Sequence, residues 1–219
     1  MPIVIDSLLE RLAAKRPVFH SECDFQFALA WQIREEHPAA RIRLERPVPD
    51  CDHTEFTDLL VHLDHETWAV ELKYKLPQRS CPEVLVEGER FRLGDQGQSL
   101  VARCEYIKDV CRMEQLVAAQ HATVGIAIML TNDAGYWQPA KRDDQKDRAF
   151  RIHEGRILRG ELGWPPEART GDGRPTLSLR GQYTCAWQDY SIVQGSKFRA
   201  LVTRVDGSMS DHNHMKTPN

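Results

Sequence analysis

No stretch of this chain is apolar for long enough to cross a bilayer, so helical membrane spans are not expected. Positive charge is not in excess either. The 29 Lys and Arg are outnumbered by 32 Asp and Glu, giving a net charge of −3 and a pI near 6.3. That balance argues against a coat protein that binds nucleic acid by bulk charge alone. It still allows a nuclease with a local basic groove, because catalytic acids themselves lower the net charge. The six cysteines include no CxxC pair. Cys51-Asp52-His53 is a compact cluster, but no further ligands stand at usable spacing, so a zinc site is not expected. The N-terminal stretch lacks a signal-peptide layout, and the expectation is a cytoplasmic protein with reduced, mostly buried thiols.

What remains is a soluble chain of 219 residues, 41% hydrophobic and 28% charged, suited to one domain. The boundaries expected are a single domain over 1–207, with a core at about 19–131, a β-rich elaboration at about 132–207 and a disordered tail over 208–219. Met1 to Arg16 reads as an amphipathic helix, with Ser7 and Glu10 at capping-box spacing and Leu8, Leu9 and Leu12 as its stripe. Ser21 is the expected N-cap of a second helix that runs to about Glu36 and stops at His37-Pro38. Glu22, Phe25, Leu29 and Ile33 share one of its faces.

Three strands follow. Arg41 to Val48 alternates, and so do Phe56 to Leu63 and Trp68 to Lys75. The last two read as a hairpin across Asp64-His65-Glu66-Thr67. Pairing Leu63 with Trp68, Val61 with Val70 and Leu59 with Leu72 closes an apolar face. The same register sets Asp58 opposite Lys73, with Glu71 one diagonal away at about 7 Å. A one-residue slip would bury the charges, so the apolar pattern gathers two carboxylates and an ammonium on one face.

Leu76 to Gln98 reads as a long irregular segment, and Ser99 to Ala119 as a helix with Leu100, Cys104, Ile107 and Cys111 as its buried stripe. Thr123 to Leu130 is a continuous apolar run, expected of a strand covered on both faces. Antiparallel strands followed by a helical crossover imply an α/β mixed sheet. Further on, Asn132 to Gly173 is polar and turn-rich; Thr176 to Leu179, Tyr183 to Trp187 and Phe198 to Val205 read as strands. Gly171-Asp172-Gly173 lacks the context of a phosphate-binding loop.

An acid at the start of one strand, then acid-x-Lys on the next, resembles the PD-(D/E)XK nuclease superfamily. Here the pieces are Asp58 and, after twelve intervening residues, Glu71-Leu72-Lys73. Thr57 stands where the family's leading proline would be, and Glu22 matches an upstream helical glutamate of the superfamily. Phe19-His20-Ser21-Glu22, Leu130-Thr131-Asn132-Asp133 and Trp187-Gln188-Asp189-Tyr190-Ser191 are similar to bacterial members of this fold. The resemblance implies a restriction-endonuclease-like sheet flanked by helices, and Mg²⁺- or Mn²⁺-dependent hydrolysis of nucleic-acid phosphodiesters, DNA ahead of RNA.

In that reading Asp58 and Glu71 hold the metal with the Leu72 carbonyl, Lys73 serves the attacking water or the transition state, and Glu22 supports the ion. Gln98 is a candidate for substrate contact, and two-strand cleavage would call for a homodimer. The plainer reading of Asp58 and Lys73 is a cross-strand salt bridge, and of Glu22 a helix-start acid favoured by the dipole. A catalytically inactive relative that serves as a nucleic-acid or protein interaction module is the alternative function. Asp109, Arg112 and Glu114 are expected as helix-surface ion pairs, with Glu114 also able to meet a buried cation. The basic stretch Lys141, Arg142, Lys146, Arg148, Arg151, Arg156 and Arg159 is either a DNA-facing wall or a solvated loop.

Overall fold

A computed structural model of the chain describes residues 3–48, 55–77, 83–94, 99–140, 147–165 and 176–207. Helix α1 spans Ile5–Lys15 and buries Ile5, Leu8, Leu9 and Leu12, spaced to fall on one helical stripe. It begins at Val4, before a Ser7 cap would allow, so Ser7 lies inside the first turns and caps nothing. Helix α2 spans Glu22–Glu36, and here the cap is as expected. The Ser21 hydroxyl accepts from the Asp24 amide at 3.1 Å, and His37 ends the helix.

A mixed six-stranded sheet forms the centre. Its strands are β1 Arg41–Pro47, β2 Phe56–Leu63, β3 Glu66–Lys75, β6 Val124–Thr131, β9 Trp187–Val193 and β10 Ser196–Asp206. They lie in the order β1-β2-β3-β6-β10-β9. All pairs are antiparallel except β3 with β6, which are joined by the crossover helix α3, Ser99–Ala118. Parallel neighbours need such a crossover, and every residue of β6 is buried, as its unbroken apolar run foretells. Among the described residues, no helix is long and apolar enough to cross a membrane.

Alternation along the strands splits the core in two. Leu59, Val61, Val70, Leu72 and Tyr74 point toward α1 and α2, where Phe19, Phe25, Tyr74 and Phe198 pack ring against ring. Leu60, Ala69, Ala127 and Met129 point toward α3. The α3 stripe is turned relative to the expected one. Tyr106, Ile107, Val110 and Met113 are buried, while Cys104 and Cys111 are only half-buried. Cys185 is buried and Cys23 exposed, so the thiols are less uniformly buried than expected.

Gly125 explains how closely α3 approaches the sheet. A Cβ there would stand 2.6 Å from the Met113 Cβ and 3.2 Å from its backbone, so only glycine lets the helix lie this low.

The segment expected to be irregular after Lys75 carries a hairpin, β4 Glu83–Val86 and β5 Glu89–Arg92. His20 stacks on Phe91 at 4.2 Å and meets Glu89 at 2.9 Å, which sets this hairpin beside the start of α2. The polar stretch after Asn132 holds a further strand, β7 Ile157–Leu162, paired with β8 Leu177–Thr184. Tyr183 to Trp187 is not one strand; β8 ends at Thr184 and β9 begins at Trp187. Glu114 of α3 holds β8 in place by accepting from the Arg180 and Gly181 amides and the Tyr183 hydroxyl. It therefore serves as a carboxylate acceptor for a hairpin, and among the described residues it pairs with no cation. The tail over 208–219 lies outside the described residues.

Candidate active site

The hairpin register sits two residues from the expected one. Leu59 pairs with Val70, Val61 with Trp68 and Leu63 with Glu66, so only Asp64 and His65 make the turn. Asp64 takes a left-handed φ of 53°, which aspartate tolerates better than most residues and which closes so short a connection. A two-residue shift keeps every side chain on its face, so apolar alternation could not separate the two registers. Continued one step, the observed register sets Asp58 opposite Glu71, not opposite Lys73.

That next step is where the ladder ends. Beyond Leu59, β2 stays with β1 as far as Phe56, while β3 runs on beside β6 to Lys75. The strands fork, and β3 amides on the open side lose their β2 partners. Two carboxylates replace them. Asp58 Oδ2 accepts from the Leu72 amide at 2.6 Å, and Glu22 Oε2 accepts from the Tyr74 amide at 2.8 Å and from Lys75 Nζ at 3.0 Å. Gln26, one turn after Glu22 and almost fully buried, donates to the Asp58 carbonyl at 2.7 Å and to Glu45 Oε1 at 2.8 Å. Glu45 itself holds a left-handed φ of 49° within β1, a strained setting for a non-glycine residue. Gln26 is a site residue beyond those expected from the sequence, and its i+4 spacing from Glu22 is the signal that places it on the same helix face.

On the α3 side of the fork lie Glu71 and Lys73, and each has an α3 partner. Glu71 Oε1 meets Arg112 Nη1 at 2.8 Å, and Lys73 Nζ meets Asp109 Oδ2 at 2.8 Å. Asp109 and Arg112 are therefore not surface residues. Asp109 is 2% exposed and Glu71 3% exposed. Lys73 Nζ also lies 3.3 Å from the Leu72 carbonyl.

Burial dominates the protonation of this group. It drives the Glu71 carboxyl up to about 8, aided by Asp109 and Asp58 and outweighing the Arg112 contact. Burial likewise lifts Asp109 to about 6 against the pull of Lys73, and raises Asp58 despite the Leu72 amide. Burial alone would lower Lys73, but Asp109, Glu22 and Glu71 more than reverse it, so the amine stays charged well above neutral pH.

A hard divalent cation tests these residues directly. Among the described residues, no group of three or more His, Cys, Asp and Glu is gathered tightly enough to form a ready metal cage. Mg²⁺ asks for less, since one or two carboxylates plus water and phosphate suffice, and Asp58 and Glu71 are the two carboxylates that the strand register brings to one face. Burial raises both carboxyls, so a cation bound between them would compete with protons. Glu71 would first have to release Arg112.

Other expected site residues fare differently. Gln98 and the Cys51-Asp52-His53 cluster lie outside the described residues, as do Lys141, Arg142 and Lys146 of the basic stretch. Arg151 turns inward to Asp147 at 3.1 Å, and Arg156 donates to the Ala149 carbonyl at 3.2 Å. Arg148 and Arg159 are exposed, so of the four described arginines in this stretch two turn toward the protein and two toward solvent. Compared with protein-family models, curated proteins and solved structures, the chain matches none.

Proposed function

We propose that this protein is a metal-dependent phosphodiester hydrolase acting on nucleic acid, DNA ahead of RNA, with a restriction-endonuclease-like core. The observation that carries the reading is the fork itself. Asp58 and Glu71 come from adjacent strands onto one face, with a charged lysine beside them and a helical glutamate at the mouth. Mg²⁺ or Mn²⁺ bound there would lower the pKa of a water and polarise a phosphoryl oxygen.

Asp58 and Glu71 would hold the ion, with the Leu72 carbonyl directed into the same fork. Lys73 remains protonated, so its task is to donate a hydrogen bond and offset charge on the phosphorane, not to remove a proton. Asp109 aims the lysine, and Gln26 fixes the backbone from which Asp58 projects. Glu22 ties α2 to β3 and stands at the entrance to the fork.

One observation favours a second reading, a nuclease-like fold used as an interaction module. Glu71 and Lys73 each already have a protein partner, Arg112 at 2.8 Å and Asp109 at 2.8 Å.

Cleavage assays on single-stranded, duplex, nicked and branched DNA and on RNA, with Mg²⁺, Mn²⁺ or EDTA, decide between the two. The enzyme reading expects metal-dependent cutting that Asp58→Ala and Lys73→Ala abolish while both variants stay folded. Folded wild type that binds neither ion and cuts no substrate supports the module.

A further inference from the structure

β1 is an edge of the sheet and reads Arg-Ile-Arg-Leu-Glu-Arg from Arg41 to Arg46. Arg41 pairs with His62 and Arg43 with Leu60. His62 and Leu60 alternate in phase with Asp58, so Arg41 and Arg43 stand on the sheet face that carries Asp58, Glu71 and Lys73. Helix α3 packs on β3, β6 and β10. On this flank Leu60 is buried in the core cluster that α3 shares, Lys108 and Arg112 meet Glu55 at 3.7 and 3.6 Å, and Arg112 approaches the Phe56 carbonyl at 3.5 Å.

Beside the fork, the exposed part of this face is its outer edge, strand β1. Arg41 and Arg43 are exposed on that face; Arg46, half-buried on the same edge strand, follows the left-handed Glu45 and pairs with Thr57, out of phase with Asp58. None of the three has an ion-pair partner among the described residues, whereas the cations at the fork are committed, Lys73 to Asp109, Lys75 to Glu22 and Arg112 to Glu71. All three arginines are close enough to His62 to reinforce burial in holding its imidazole below the ordinary value. Phe56, also in phase with Asp58, is 41% exposed at the rim of the fork.

We infer that β1 is a phosphate-binding rail, along which Arg41, Arg43 and Arg46 hold a nucleic-acid backbone that continues past Phe56 to Asp58. This rests on the proposed nuclease reading for the direction of the path, but not for the binding. Alternate strand residues stand about 6.6 Å apart, which lets two neighbouring arginines reach successive phosphates of one strand. Guanidinium groups suit phosphate oxygens better than ammonium groups because their donors are paired and planar. The edge also gives a chain of net charge −3 a place to bind a polyanion, since it gathers three arginines that have no ion-pair partner among the described residues. Charge on an edge strand can instead serve only to discourage edge-to-edge pairing of two sheets. That role makes no demand on nucleic-acid affinity.

The test is binding, read apart from cleavage. Fluorescence anisotropy with labelled single-stranded and duplex DNA would compare full-length wild type with Arg41→Ala/Arg43→Ala and the triple variant adding Arg46→Ala, in EDTA, over a range of NaCl. We expect affinity to fall at least about tenfold in the triple variant, and the log–log salt slope to shrink by about 0.7 to 0.9 for each phosphate that the variant no longer neutralises. Arg41→Lys/Arg43→Lys should recover much of the slope. Unchanged affinity and slope in the triple variant, with a native circular dichroism spectrum, overturn the rail. Wild type that shows no binding to either DNA overturns it too. Binding that depends on the arginines in a protein that cuts nothing keeps the rail and removes the nuclease reading.

Discussion

The Asp58 carboxylate takes the place of a main-chain carbonyl, accepting from the Leu72 amide at 2.6 Å where β2 has left β3. Glu22 does the same for Tyr74, so two acids from different elements close the open side of one strand. An unmatched buried amide costs about 1–3 kcal/mol, which gives both acids a structural duty besides any catalytic one.

The two duties of Asp58 separate by substitution. Asp58→Asn keeps an acceptor for Leu72 and should lose less than about 1 kcal/mol, whereas Asp58→Ala strands the amide and should lose about 1–3 kcal/mol. Both should lose Mn²⁺ binding measured by titration calorimetry. Equal stability of the two variants in urea denaturation would remove the capping account.

Arg112 balances Glu71 across a buried contact of 2.8 Å. Arg112→Met leaves the Glu71 carboxyl buried without its guanidinium; near neutral pH that carboxyl is mostly protonated, so the cost should be that of a lost buried hydrogen bond, about 1–3 kcal/mol, growing as pH rises through 8. If the fork accepts an ion, millimolar Mg²⁺ or Mn²⁺ should return part of that stability to the variant and give less to wild type. Thermal unfolding with and without EDTA reads this out. A metal-independent melting temperature in the variant counts against an ion at Glu71.

Stability should also depend on pH with a definite sign. Glu71 is raised from 4.5 to about 8 and Asp109 from 3.8 to about 6, chiefly by burial. Between the unfolded and folded values the native state holds more protons than the unfolded chain. Stability therefore falls as pH rises, across roughly 4 to 6 for Asp109 and 4.5 to 8 for Glu71. Saturating Mg²⁺ replaces the proton and should flatten the upper part of this slope. Urea midpoints at pH 5, 6.5 and 8 test it, and a midpoint that rises with pH in EDTA contradicts the assignment.

Gly125 controls the depth of α3 and hence the reach of Asp109 and Arg112. Gly125→Ala sets a methyl 2.6 Å from the Met113 Cβ, and overpacking of this kind costs about 1–3 kcal/mol. Asp109 and Arg112, within about one turn of Met113, should shift with the helix, so the dependence of stability on pH should weaken as well. A variant as stable as wild type would mean that α3 yields freely there.

Much of the framework was written locally. Ser21 with Asp24 marks the start of α2, and the unbroken run before Thr131 marks a strand covered on both faces, because capping and apolar periodicity need only a few neighbouring residues. The β4–β5 hairpin and β7 left weaker traces, since short strands with polar outer faces resemble loops in sequence.

What the chain's order alone determined was which side chains share a face: Asp58, Glu71 and Lys73 lie together because strand alternation is fixed by the backbone. What only the folded structure decided was which of them meet. The two-residue turn at Asp64-His65 chose between registers that bury the same apolar groups, and the closeness of α3 at Gly125 brought Asp109 and Arg112 to Lys73 and Glu71. Those pairings join residues about 36 and 41 positions apart by sequence number, and no local pattern encodes a contact that depends on how low a helix lies on a sheet.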